Sequence, residues 1–174
     1  FCLDKGRPDD FHRKTEDIIS EIKSAFDEGN SKLIISGGDP TIHPDLANII
    51  REAKKIGYKK VQTITNGRMF ASKKFTESVI NAGLDEVTFS IHGSDSFTHD
   101  SLVRVNGAFS QIISGIRNIS QLGKGTILNT DTCINKVNYK QLPEIVKFIV
   151  ETLGIMELNL MSIVPQGNAW KYKE

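Results

Sequence analysis

The chain has 174 residues, 22 lysines and arginines against 21 aspartates and glutamates, and a formal net charge of +1. That length supplies one domain with a sizeable core, and the even charge gives no electrostatic case for nucleic acid or an anionic membrane surface. Two cysteines exclude a disulfide scaffold, no apolar run approaches the roughly 20 residues that span a bilayer, and no secretory signal pattern is present.

In chain order, Thr15 is expected to cap a helix with Glu16 and Asp17 in its first turn, Ile18, Ile22, Ala25 and Phe26 on its apolar face, and Gly29 as its stop. A strand over Leu33 to Ser36 follows, then a helix from Pro44 to Ile56 with Leu46, Ile49, Ile50 and Ala53 at helical spacing. Val61 to Ile64 reads as a strand, Ser72 to Ala82 as a helix closed by Gly83, and Val87 to Ile91 as a strand. A longer connection runs to about Gly107, with room for one helical turn at Asp100 to Val103. Phe109, Ile112, Ile113, Ile116 and Ile119 mark a helix ending near Gly123. Thr126 to Ile134 is a strand, Tyr139 to Leu153 a helix, and Glu157 to Val164 the last strand.

Strict alternation of helix and strand implies right-handed crossovers and a parallel sheet. The β-branched apolar strands agree with a sheet covered by helices. Two architectures fit at this point: an open doubly wound sheet, or a partial (β/α) barrel. Both place function at the C-terminal strand ends. Those ends carry Gly37, Gly38, Asp39 and Pro40; then Thr65-Asn66-Gly67; then Ser90-Ile91-His92-Gly93; then Asn135; then Val164-Pro165-Gln166-Gly167. Paired glycines at a strand end let the backbone turn and approach a ligand closely.

The order Cys2, Gly37-Gly38-Asp39-Pro40-Thr41, Thr65-Asn66-Gly67, Ser90-Ile91-His92-Gly93 and Val164-Pro165-Gln166-Gly167 resembles the radical S-adenosylmethionine superfamily, over essentially the whole chain. The resemblance implies a partial (β/α)6 barrel of the TIM type with parallel strands. It also makes residues 1–174 a core domain that begins inside the cysteine motif. Phe1-Cys2 looks like the end of the family's C-x3-C-x2-C loop. The first strand and the other two cysteines are then expected upstream of Phe1, which is not a methionine. In that family the three thiolates hold a [4Fe–4S] cluster with one open iron. Reduction through the cluster cleaves S-adenosylmethionine to a 5′-deoxyadenosyl radical that abstracts hydrogen from substrate.

Position by position, Cys2 resembles the third cluster ligand and Phe1 would lie along the adenine. Gly37, Gly38, Asp39 and Pro40 match the Gly-Gly-Glu-Pro motif that holds the methionine amino group. Ser90 matches a polar residue reaching carboxylate or ribose, and Val164 an apolar contact to adenine. Thr65 and Asn66 face the same chamber, toward cofactor or substrate, and His92, at a strand end, suits either a cofactor contact or an ordinary loop histidine. Asp39 departs from the commoner glutamate by one methylene, so a water is one way for it to reach the ammonium. The glycine-rich pattern often found at the fourth strand is not clear in Thr126 to Ile134.

The implied partners are a small-molecule or peptide substrate, of the cofactor-biosynthesis or peptide-maturation kind, and an electron donor such as flavodoxin or ferredoxin. The oxygen sensitivity of such a cluster points to a cytoplasmic setting. Without the resemblance, each residue also has an ordinary reading. Cys133 within a strand suits a small buried hydrophobe, and His43 suits a cap on the helix at Pro44. Asp95, His99, Asp100 and Arg104 suit either substrate contact or a solvated loop. A conventional barrel lyase or aldolase would need a buried Schiff-base lysine and a phosphate loop. Lys136, beside Asn135 and Asn138, is placed for exposure instead. A non-catalytic barrel that has lost its cluster is the third possibility.

Overall fold

Five short β-rich segments become five parallel strands laid down in chain order. The computed structural model describes residues 13–123 and 125–162. The strands are β1 (Lys32–Ile35), β2 (Lys60–Thr65), β3 (Glu86–Ser90), β4 (Ile127–Ile134) and β5 (Glu157–Ser162). The helices are α1 (Thr15–Asp27), α2 (Leu46–Ile56), α3 (Lys73–Asn81), α4 (Ser96–Val103), α5 (Ala108–Leu122) and α6 (Leu142–Lys147), the last continuing as a wider π-type turn over Phe148–Thr152.

The sheet order is β1-β2-β3-β4-β5. A doubly wound sheet reverses its strand order at a switch point. Here the order never reverses, so successive right-handed crossovers stack their helices on one side. The result is a singly wound, barrel-type sheet, which decides between the two architectures. The five strands expected within this sequence are all present among the described residues.

Register shows why the helices choose one face. Parallel partners Leu33↔Val61, Thr63↔Val87, Val87↔Leu128 and Thr130↔Leu158 share one side of the sheet. Val61, Val87 and Phe89 on that side are fully buried, together with Leu46, Ile49 and Ile50 of α2, Val79 of α3, Ile112, Ile116 and Ile119 of α5, and Ile145 and Ile149 beyond β4. Each such side chain contributes about 1.5–3 kcal/mol by leaving water. The opposite side is polar: Lys32, Lys60, Gln62, Glu86, Thr88, Asn129 and Asp131 lie there by the same registers. At its N-terminal half, buried Glu86 pairs with Lys60 at 2.7 Å and Lys32 at 3.6 Å, and accepts from Asn129 Nδ2 at 2.5 Å. Gln62 Nε2 donates to Thr88 Oγ1 at 2.8 Å. This network closes the bottom of the inner face.

Several boundaries move. Thr15 does not cap α1; it is the first helical residue, and its hydroxyl donates to Asp45 Oδ2 at 2.6 Å, tying α1 to the start of α2. The helix expected from Pro44 begins at Leu46, because a 3-10 turn over Pro40–Ile42 comes first. His43 is not the helix cap expected of it: α2 has Asp45 at its N-cap position, and His43 ends the 3-10 turn, with its Nδ1 accepting from Asp45 N at 3.1 Å. The single turn expected at Asp100 to Val103 is a full helix, α4, capped by Asp95, which accepts from Thr98 N at 2.7 Å. The helix expected over Tyr139 to Leu153 is three pieces: a 3-10 turn, α6 and the π-type turn. Among the described residues no helix is long and apolar enough to cross a membrane.

Candidate functional site

The bend after β1 is built by one residue that needs glycine for its backbone and one that does not. Gly37 has φ +146°, a region side chains rarely enter. Gly38 lies outside that region, and a Cβ placed on it meets no atom of the described residues within 4 Å. Neither backbone conformation nor packing among the described residues calls for glycine at 38. Elsewhere the glycines have clear reasons: a Cβ at Gly67 would lie 2.4 Å from the Phe89 ring, and one at Gly93 2.7 Å from His99 N. The exposed bend at Gly37 and Gly38 therefore offers bare backbone toward open space.

Asp39 then fixes the bend. Its Oδ1 accepts from Thr41 N at 2.9 Å and from the Thr41 hydroxyl at 2.5 Å. The Thr65 hydroxyl is 3.0 Å from both carboxylate oxygens, and Asn66 N donates to Oδ2 at 2.8 Å. Four donors occupy the roughly four acceptor positions of a carboxylate. Asp39 is thus a cross-brace between the ends of β1 and β2, with its acceptor capacity used inside the loop. Thr65 in turn accepts from Gly67 N at 3.0 Å, and Asn66 Oδ1 accepts from Arg68 N at 3.0 Å.

Ser90 ends β3 half-buried on the polar inner face, in register with Asp131 of β4. His92 sits behind that face. It is buried, its Nδ1 accepts from Cys133 N at 3.3 Å, and its carbonyl accepts from Asn138 Nδ2 at 3.0 Å. Its own N–H donates to His99 Nδ1 at 3.1 Å, and the two rings stack with centroids 5.8 Å apart. Burial, then the neighbouring His99, pushes the His92 pKa down to about 4, and burial lowers that of His99. Both rings are neutral at pH 7, and His92 joins the ends of β3 and β4.

The structure thus brings Gly37, Gly38, Asp39, Pro40, Thr65 and Asn66 together directly and places Ser90 on the inner face of the same sheet. Phe1, Cys2 and Val164 lie outside the described residues. Among the described residues no group of three or more His, Cys, Asp or Glu is placed to hold a metal ion. Of the loop residues weighed for substrate contact, Asp100 caps α5, accepting from Gly107 N at 2.6 Å and Phe109 N at 2.8 Å, and His99 is buried. Lys136 is exposed.

Two inner-face residues escape sequence reasoning. Asp131 and Asn159 meet across β4 and β5, with Asn159 Nδ2 donating to Asp131 Oδ1 at 2.9 Å. The signal was the polar run Asn129-Thr130-Asp131-Thr132 inside β4, of which Asn129 and Asp131 fall on the inner face. Cys133 shares that face, and burial, then Asp131, pushes its thiol pKa up.

Comparison with known proteins agrees with this architecture. A family model described as the radical SAM superfamily matches residues 1–149. A probable GTP 3′,8-cyclase of Saccharolobus islandicus is 32% identical over 171 residues, covering 96% of this chain and 53% of the relative. One from Sulfurisphaera tokodaii is 32% identical over 178 residues, covering 100% of this chain and 55% of the relative. The chain spans about half the length of the curated relatives it matches. The crystal structure of Streptococcus suis SuiB bound to precursor peptide SuiA superimposes with TM-score 0.78 at 21% identity, covering 94% of this chain and 36% of that one, which shows a shared fold. With a singly wound parallel sheet, a diglycine bend at its first described strand and a family match over most of its length, the chain belongs to the radical SAM superfamily.

Proposed function

We propose that the rim described above binds S-adenosylmethionine beside a [4Fe–4S] cluster, and that the enzyme uses them to abstract hydrogen from its substrate. Gly37 and Gly38 would hold the methionine amino group through backbone carbonyls. Ser90 and Asn66 would line the chamber toward carboxylate, ribose or substrate, while Thr65, buried on the helix-covered side of β2, braces the bend through Asp39 and His92 braces the wall. Phe1 and Val164 would lie against adenine, and Cys2 would supply one thiolate to the cluster. Bound together, cluster and cofactor supply a 5′-deoxyadenosyl radical.

The observation that carries this reading is Gly38. A glycine that neither its backbone nor its neighbours among the described residues require is explained by a ligand pressed against the main chain. Asp39 contributes by rigidity: with its four donors in place, the bend keeps one shape before and after binding. The commoner glutamate would carry its carboxylate one methylene further out. The shorter side chain suits the inward role, so recognition of the ammonium falls to the backbone.

For the substrate, the 32% identical relatives support a small molecule of cofactor biosynthesis, since they carry the name GTP 3′,8-cyclase. A flavodoxin or ferredoxin would supply the electron, in the cytoplasm. The test is anaerobic reconstitution with iron and sulfide, reduction, and measurement of 5′-deoxyadenosine with and without GTP. Formation of 5′-deoxyadenosine supports the radical reading, and its stimulation by GTP supports the substrate class. No 5′-deoxyadenosine from a reconstituted, reduced protein would overturn the first. Stimulation by a peptide and not by GTP would overturn the second.

A further inference from the structure

Arg68 is held in an unusual state for an exposed arginine on a rim. Its Nε donates to Gln111 Oε1 at 2.6 Å, from the first turn of α5, 43 residues away in sequence. Its backbone N–H is held by Asn66 Oδ1 at 3.0 Å. Among the described residues no carboxylate pairs with it, and nothing accepts from its two Nη nitrogens.

The turn that carries it, Arg68–Ala71, is firmly anchored. Asn118 Nδ2 donates to the carbonyls of Phe70 and Ala71 at 2.9 and 3.1 Å, and Phe70 is fully buried. Gly115 of α5 lies so close that an added Cβ would come within 2.8 Å of Phe70 Cβ. The guanidinium is therefore fixed at both its root and its Nε. Arg68 also lines a cavity of about 220 Å³, together with Thr41, Ile42, Asn66, Met69 and Gln111. Thr41 and Asn66 are also donors to Asp39, so the cavity abuts the brace of the diglycine bend.

A planar guanidinium with its Nε engaged and two Nη groups without an acceptor among the described residues matches the two oxygens of a phosphate or carboxylate. The cavity's other walls are neutral: two apolar side chains, a hydroxyl and two amides. It thus adds no carboxylate to repel an anion. We propose that Arg68, aligned by Gln111, binds an oxyanion group of the substrate in this cavity, beside the bend that takes the cofactor. This rests on the radical reading above for its location, although the fork's chemistry does not depend on it. The oxyanion is a phosphate if the substrate is a nucleotide and a carboxylate if it is an acid or peptide.

Calorimetric titration of the reconstituted protein with inorganic pyrophosphate, and separately with glutarate, tests it. The expected result is binding of one of the two, weakened about tenfold or more in R68Q, weakened less in Q111A because the fork loses its alignment, and not restored in R68K because an ammonium lacks the fork. Arg68 is exposed, so melting temperatures near wild type in all three variants confirm that folding is intact. Whether pyrophosphate or glutarate binds identifies the source of the oxyanion. Equal binding by R68Q and wild type, or binding of neither probe, overturns the proposal. Loss of S-adenosylmethionine affinity in R68Q with the anion titration unchanged also overturns it, since the fork would then serve the cofactor. Failure of the wild-type protein to make 5′-deoxyadenosine would sink the radical reading while leaving the anion titration to stand by itself.

Discussion

Replacing Gly38 with alanine and then valine asks whether this glycine serves the fold or a ligand, and the structure assigns each outcome a size. A Cβ at 38 meets nothing within 4 Å among the described residues, and the backbone there lies outside the left-handed region. Replacing glycine where its conformation suits a side chain stabilises by roughly 0.4–1 kcal/mol. For a chain of this size that is a rise of about 1–4 °C in melting temperature. Gly67→Ala is the control. It combines φ +76° with a Cβ 2.4 Å from the Phe89 ring. A left-handed alanine costs about 1–2 kcal/mol and overpacking about 1–3 kcal/mol, so its melting temperature should fall by roughly 4–20 °C. If Gly38 serves the cofactor, Gly38→Val should melt at or above the wild-type temperature yet bind S-adenosylmethionine at least about tenfold more weakly. The assays are thermal denaturation and equilibrium binding on the same preparations. Wild-type affinity in Gly38→Val, or a thermal loss like that of Gly67→Ala, refutes the reasoning.

Asp39→Glu should lower 5′-deoxyadenosine formation even though it restores the family's commoner residue. The longer side chain cannot keep the bonds to Thr41, Thr65 and Asn66, and activity at or above wild type would show that the carboxylate works on the cofactor directly. Glu86→Gln should cost about 1–3 kcal/mol in urea denaturation, by discharging a buried partner of Lys60. It should leave S-adenosylmethionine affinity unchanged, because Glu86 lies at the opposite end of the sheet from the bend. The fold should also lose stability in mild acid. An unfolded histidine takes up a proton near pH 6.5, while His92 does so only near 4 and His99 is shifted in the same direction. The unfolded chain therefore binds more protons in this window. Stability from His92 is complete above about pH 6.5 and falls by about 3 kcal/mol as pH drops to 4. Urea midpoints at pH 7, 6 and 5 that do not change would contradict this.

The alternation of elements was legible because β-branched runs and glycine stops repeat at short spacing, and that alternation fixes a parallel sheet. What it left open, open sheet or barrel, is decided by strand order, a property of the whole chain. Helix α4 was read as one turn because it buries Thr98 and His99 and leaves Phe97 in water, so no apolar stripe marks it. Asp39 was legible as a site residue but not as a brace, since its partners Thr65 and Asn66 are 26 and 27 residues away. Asp131 and Asn159 were missed because a polar residue in a strand reads as solvent-facing until the covered side of the sheet is known.

That last point also locates the site without reference to motifs. The helices claim the side of the sheet bearing Val61, Val87, Phe89 and Leu128, so the polar side must face inward or water. Its N-terminal half is charge-paired, with Glu86 held by Lys60, Lys32 and Asn129, although Gln62 Oε1 and Asn129 Oδ1 there are buried without a hydrogen-bond partner among the described residues. Its C-terminal half has no comparable ion-pair network: Ser90, Asp131 and Asn159 lie there on β3, β4 and β5, in the same sheet as β1 and β2, whose ends carry the diglycine bend and the Arg68 turn. A ligand that needs both polar side chains and bare backbone finds them together only at that end. Exchanging the two halves' chemistry, by breaking the Glu86 network, should therefore alter stability and leave binding alone, whereas changes at Ser90 or Gly38 should do the reverse.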